Sequence, residues 1–327
     1  MGLSILRIAA ILALAALPQA AQTAQMRAKV SEALPHYNPT VAVNGAVEIP
    51  GTDAISDLGE EWGRLFHQYQ PQGRIVYVPK LTKEAVKDLT EGTRPLVITA
   101  RELSQDEMKA FQAKHGYMPM RIPVCLDAII VFVHKNNPIS SISMEQLDAI
   151  FGQERHGGYK EPAATWSDFR VRGDLGKRAI VAYGRGEGTT TREAFQASVL
   201  LNGPFKAGVI AKPDASSLAE SVITDEAGIA FGSLASWYAG VKVLPVIPYK
   251  SSDARLPNQD NVTLSRYPMP RLYYAYLNRA PGAALDPALG EVLHFLLSQE
   301  GQGVAADVGL LPAPHEFLTI ALKRLER

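Results

Sequence analysis

Apolar positions along the chain alternate between short continuous runs and a helical period, which predicts strands interleaved with helices. Residues 25–45 are polar, carry Pro35 and Pro39, and predict an extended lead-in. VEI at 47–49 then predicts a short strand, and Ile55, Leu58, Trp62, Leu65, Phe66 and Tyr69 recur at helical spacing. RIVYV at 74–78 predicts a second strand, and Thr82 opens a helix carrying Ala85, Val86 and Leu89. LVIT at 96–99 is a buried strand, and Ser104 with Glu107 forms a capping box for a helix through Met108 and Phe111. Strand, helix, strand, helix, strand is the signature of an α/β domain with a mainly parallel sheet.

The run RIPVCLDAIIVFVH at 121–134 is too long for one ordinary strand and predicts a strand that passes from one domain into another. Beyond it, Ser143 and Gln146 cap a helix through Leu147, Ile150 and Phe151. AIVAY at 179–183 leads through a glycine loop into the helix TREAFQASVLL at 191–201, and GIAF, VKVLPVI and RLYYAYLN predict further strands. Asp286 followed by Pro287 opens a last long helix whose stripe is Leu289, Val292, Leu293, Leu296 and Leu297, with Gly301 as its stop. Tyr273, Tyr274 and Tyr276 fall within a predicted strand and read as packing, and His134 as a half-buried structural residue.

With 327 residues, 46% of them hydrophobic, the chain can bury a sizeable core, and its length predicts roughly two domains. Lysine plus arginine and aspartate plus glutamate both total 33, so no net field attracts a nucleic acid or an anionic membrane, and any anion must be held locally. Cys125 is the lone cysteine, which excludes an intramolecular disulfide, a cysteine-based zinc cluster and a CxxC pair. Residues 1–24 carry Arg7, an apolar run from Ile8 to Leu17, Pro18 and small residues, which predicts a cleaved secretory signal peptide. The run is shorter than the roughly 20 helical residues that span a bilayer, and no later stretch reaches that length.

The segment YGRGEGTTTREAF at 183–195 concentrates the candidate chemistry. Gly184, Gly186 and Gly188 permit close backbone approach, the threonines stand where a helix begins, and a helix N-terminus presents unpaired N–H groups to an anion. Arg185 can donate two parallel hydrogen bonds to an oxyanion or pair with Glu187, and Thr190 with Glu193 also fits an ordinary capping box. Gly51, Thr52, Asp53 and Ala54 form a second strand-to-helix junction, with Asp53 readable as a plain N-cap, and Thr82 occupies the same topological position. Neither GxxxxGK[ST] nor GxGxxG is present, nor a GxSxG elbow or HExxH, so no enzyme machinery, metal ligand set or cofactor is visible.

These segments resemble the phosphate-binding periplasmic components of ABC transporters. The resemblance runs in order through LPHYNP, VNGAVEIPGTDAISDLGEEW, ARELSQDEMKAFQAKHGYMPMRIPVCLDAIIVFVHKNNP, YGRGEGTTTREAF, GIAFGS, YPMPRLYYAYLN and LLSQEGQGVAADVGLLP. It implies an α/β, two-lobed binding-protein fold with mixed, mainly parallel sheets and a hinge, residues 46–128 and 263–327 forming lobe I and 129–262 lobe II. It further implies a cofactor-free periplasmic monomer that closes on inorganic phosphate or a related oxyanion and delivers it to an ABC transporter permease. The alternative is a divergent scaffold that has lost transport and serves as a sensor or interaction module.

By the same resemblance, Gly51, Thr52, Asp53 and Ala54 match a Gly-Ser-Asp-Thr loop with two changes. Thr82 matches a serine of a second loop whose glycines are replaced, and Arg101 matches a third-loop arginine preceded here by Ala100 instead of an acid or serine. Arg185, Thr189, Thr190 and Thr191 fall on the arginine, serine, glycine and threonine of the fourth loop. The departures carry expectations of their own. Ala100 removes a polar partner, Thr190 places a side chain where the family has glycine, and Glu187 is expected to repel an anion beside it.

Overall fold

The computed structural model describes residues 26, 28–161 and 163–326. The signal-peptide reading over 1–24 lies outside the described residues. The first wing of the fold contains β1 (Gly45–Thr52), α1 (Ser56–Tyr69), β2 (Gly73–Lys80), α2 (Thr82–Glu91), β3 (Leu96–Thr99) and α3 (Gln105–His115). The long β4 (Met120–His134) follows, then β5 (Ile142–Ser143), α4 (Met144–Phe151), α5 (Gly173–Lys177), β6 (Val181–Arg185), α6 (Thr190–Ser198), β7 (Ile210–Lys212), α7 (Ala215–Thr224), β8 (Gly228–Ser233), β9 (Val241–Val243) and β10 (Val246–Ile247). The chain ends with α8 (Gln259–Thr263), β11 (Pro270–Leu277), α9 (Pro287–Leu296), α10 (Gln299–Asp307), β12 (Leu311–Pro312) and α11 (His315–Leu325).

The strands run β2-β1-β3-β11-β4-β8-β6-β7 across one curled sheet. Its two wings are parallel: β1 lies between β2 and β3, and β6 between β7 and β8. The antiparallel strands β11 and β4 join them. Through Ala128, β4 pairs with β11; from Ile129 onward it pairs with β8. Every residue from Val124 to His134 is buried, because elements cover both faces of this strand, and its apolar run therefore continues without alternation. A register shift between Tyr273 and Tyr274 lies opposite the stretch around Pro123, where the ladder lacks a donor.

Both capping boxes form as the sequence predicts, with Ser104 and Glu107 on α3 and Ser143 and Gln146 on α4. Along α1 the stripe Leu58, Trp62 and Phe66 is buried, while Tyr69 reaches solvent. VKVLPVI divides into β9 and β10 around Leu244 and Pro245. The expectation that Gly301 stops the last long helix is overturned. Helix α9 ends at Leu296, Ser298 caps α10, and Gly301 lies inside α10, where a Cβ would collide with the Phe295 carbonyl and the Leu296 backbone. Glycine is needed there for helix approach, and the Gly301 carbonyl accepts from Trp62 Nε1 at 2.8 Å. No helix among the described residues is long and apolar enough to cross a membrane.

The lead-in is extended and pinned to the core. The buried Glu291 of α9 accepts hydrogen bonds from the Tyr37 hydroxyl at 2.8 Å, the Thr40 N–H at 3.0 Å, the Val41 N–H at 2.9 Å and the Thr40 hydroxyl. Burial opposes the charge of Glu291, but the donors of Thr40, Tyr37 and Val41 outweigh it and hold the carboxyl below its ordinary range. A folded pKa below the unfolded value gives stability that is present above about pH 4.3 and is lost as pH falls through the folded value. Glu291→Gln is expected to cost about 1–3 kcal/mol at neutral pH. In denaturant titrations the gap between the two proteins should narrow below about pH 4.

Candidate functional site

Four strands end at one cavity of about 260 Å³. Its wall comes from Asp53–Leu58 after β1, Arg185 at the end of β6 with Thr191 on the helix beyond, Pro213–Ala215 after β7, and Ser233 and Ala235 at the end of β8. Val308 and Leu310 complete it. The carboxyl ends of strands in an open α/β sheet carry loops and helix N-termini, and here the first turns of α1, α6 and α7 all reach the cavity.

Arg185 has one anchored nitrogen and one without a partner. Its Nη2 donates to the Pro213 carbonyl at 2.8 Å and lies 3.9 Å from Asp53 Oδ2. Its Nε is buried with no hydrogen-bond partner among the described residues, and so is Asp53 Oδ1. A buried polar atom without a partner costs about 1–3 kcal/mol. One donor and one acceptor left in this state on the same cavity wall suit a ligand that carries both a charged oxygen and a hydroxyl.

The structure places the other predicted residues unevenly. Ala54 and Thr191 lie in the wall. Thr52 is fully buried behind it: its hydroxyl accepts from the Ala54 N–H at 3.4 Å and lies 3.3 Å from the Thr190 hydroxyl, and its carbonyl accepts from Tyr77 at 2.7 Å. Thr190 therefore directs its hydroxyl toward Thr52, and the expected Thr190–Glu193 capping box does not form; Thr189 is the N-cap of α6. No side chain caps that helix, because the Thr189 hydroxyl turns back to the Gly186 carbonyl at 2.7 Å. Thr82 lies outside the wall, with its hydroxyl buried and unpartnered. Arg101 also lies outside, held by both oxygens of Glu107 at 2.7 and 2.8 Å. Glu187 is not in the wall either; it lines a separate depression with Arg192 and Phe205, so the expected repulsion has no geometric basis. The carboxylates that do line the cavity are Asp53, Asp57 and Asp214. The Ser217 N–H and hydroxyl, with the charge of Arg185, hold Asp214 below the ordinary carboxylate range.

Sequence reasoning missed Ser233, Asp214 and the pair Asp127–Arg271. Arg271, on β11, donates from Nε at 3.1 Å and from Nη2 to Asp127 Oδ2, and from Nη1 to the Thr191 hydroxyl at 3.0 Å. Two signals could have found the pair: Asp127 interrupts a continuous apolar run, and Arg271 shares its strand face with the uncharged Tyr273, Ala275 and Leu277. No group of three or more His, Cys, Asp or Glu side chains among the described residues could hold a metal ion.

A family model described as a PBP superfamily domain matches residues 22–300. The chain is 32% identical over 298 residues to the phosphate-binding protein PstS of Pseudomonas aeruginosa, covering 91% of this chain and 92% of that relative. Among solved structures it is similar to a possible phosphate binding protein from Planctomyces limnophilus, with a TM-score of 0.66 and 17% identity over 87% of this chain and 99% of the other. It is also similar to an ABC-type phosphate transport receptor from Vibrio cholerae, with a TM-score of 0.62 and 17% identity over 81% and 99% of the two chains. The shared architecture is the two-lobed α/β binding-protein fold with mixed sheets.

Gly51, two residues before the cavity wall begins, is required for space alone. A Cβ there would enter the ring of the half-buried Tyr77, whose hydroxyl fixes the Thr52 carbonyl. Gly51→Ala is expected to cost about 1–3 kcal/mol by overpacking, read as a lower denaturation midpoint.

Proposed function

The chain belongs to the PBP superfamily, and we propose that it captures phosphate, or a closely similar oxyanion, between two lobes and hands it to an ABC transporter permease. The observation that carries this reading is the buried, unpartnered pair of Arg185 Nε and Asp53 Oδ1 on one cavity wall. Hydrogen phosphate offers charged oxygens to the guanidinium and a hydroxyl proton to the carboxylate, so both orphaned atoms gain a partner at once. The Thr191 hydroxyl and the N–H groups at the starts of α1 and α6 supply further donors. Thr52, Thr189 and Thr190 act by shaping the loops, with their hydroxyls engaged inside the protein. Thr82 and Arg101 stand outside the wall and take no part in holding the anion.

The lobes in this reading are residues 46–128 with 263–327, and residues 129–262. Support comes from β4, whose partner changes from β11 to β8 between Ala128 and Ile129. Ligand contacts from both sides then favour the closed arrangement by their differential affinity, with no covalent step. The similarity to PstS over most of both chains favours export and delivery to a permease. The sensor alternative is not favoured, because the degraded second and third loops lie away from the groups proposed to bind.

Calorimetric titration with phosphate tests this. Arg185→Ala is expected to weaken binding by at least about a hundredfold, since charged hydrogen bonds are each worth about 1.5–3 kcal/mol, while circular dichroism stays unchanged. Unaltered affinity in that variant defeats the assignment. Asp53→Asn should weaken phosphate more than sulfate, because sulfate at neutral pH has no hydroxyl to donate.

A further inference from the structure

We propose that Arg271 is a positioning residue that occupies one lone pair of the Thr191 hydroxyl and so orients its proton for donation to a proton-free oxygen of the bound oxyanion. The inference rests on the phosphate-type reading of the cavity and adds to it the residue that orients one of its donors.

A guanidinium has five N–H donors and no acceptor. Arg271 Nη1 lies 3.0 Å from Thr191 Oγ1, so in that hydrogen bond the threonine oxygen must be the acceptor. The hydroxyl proton of Thr191 then points elsewhere. No acceptor for it exists among the described residues' hydrogen bonds, and Thr191 forms part of the cavity wall. A hydroxyl carries one proton and two lone pairs; here Arg271 occupies one lone pair, and the proton is left to be donated to the cavity.

The guanidinium itself cannot turn away. Nε and Nη2 are both held by Asp127 Oδ2, which also accepts from the Tyr273 hydroxyl at 2.9 Å. Asp127 Oδ1 accepts from the Ala128 N–H at 2.7 Å and the Leu234 N–H at 2.9 Å, so the carboxylate is anchored on β4 and on the turn that follows Ser233. Asp127 is fully buried and Arg271 is 6% exposed, which excludes competing water from this chain of contacts. The arrangement needs the planar fork of arginine. A lysine ammonium at this position can pair with Asp127 but cannot also reach Thr191 along the second arm.

Phosphate titration of the purified protein, with Thr191→Val, Thr191→Ser, Arg271→Lys and the double variant Arg271→Lys/Thr191→Val, tests the proposal. Thr191→Val is expected to weaken binding about ten- to a hundredfold, the range for losing one hydrogen bond to a charged group, and Thr191→Ser to retain most of the affinity. Arg271→Lys should weaken binding by a similar factor, and the double variant should bind no more weakly than Thr191→Val alone. Multiplying losses in the double variant, or full affinity in Thr191→Val, overturns the proposal and leaves the oxyanion reading standing. If Arg271→Lys fails to fold by near-UV circular dichroism, the Val and Ser variants decide: loss with valine and retention with serine support it, and equal affinity in both overturns it. Absence of phosphate binding by the unaltered protein removes the oxyanion reading and this inference together.

Discussion

A charged carboxylate stands in the middle of the molecule. Asp127 is fully buried on the strand that crosses from one wing of the sheet to the other, with apolar neighbours before and after it in sequence. An isolated carboxylate there would be prohibitively costly to desolvate. Five donors from Arg271, Tyr273, Ala128 and Leu234 compensate it, drawn from three stretches, β11, β4 and the turn after β8, that must be in register for the set to close. Breaking such a pair by removing one partner leaves a buried charge without compensation, so β4, β11 and the turn after β8 are locked together.

The cavity is built on that lock. Its wall is assembled from the carboxyl ends of β1, β6, β7 and β8, four segments distant in sequence that converge because the two parallel wings share the antiparallel strands β4 and β11. The cationic and N–H groups at the site are local, Arg185 and the first turns of three helices, beside the carboxylates of Asp53, Asp57 and Asp214, in a chain whose formal charges cancel. On α9, Glu291 solves the same problem as Asp127: a buried carboxylate takes its donors from the lead-in and thereby fastens Tyr37, Thr40 and Val41 to that helix.

Local patterning was legible. The capping boxes at Ser104 and Ser143, the Asp286–Pro287 helix start, the stripe of α1 and the unusual length of β4 all follow from interactions within a few residues of one another, or from burial on both faces of one strand. The role of Gly301 is not legible locally: it makes room for the end of α9, and nothing in its own sequence neighbourhood distinguishes that from a helix stop. The placement of Glu187 is hidden for a similar reason, since adjacency to Arg185 in sequence does not set which way a loop side chain faces.

The sequence by itself determined the alternation of strands and helices, the order of the ligand-loop motifs and the candidate residues Asp53, Ala54, Arg185 and Thr191, because periodicity, caps and turn residues act over short distances. Only the tertiary structure decided which hydroxyls remain available. Thr52 and Thr190 meet each other, Thr189 turns to its own loop, and Thr191 accepts from Arg271, 80 residues away. A hydroxyl's role depends on what lies within about 3 Å of it, and that is a property of chain crossing, which no local pattern encodes.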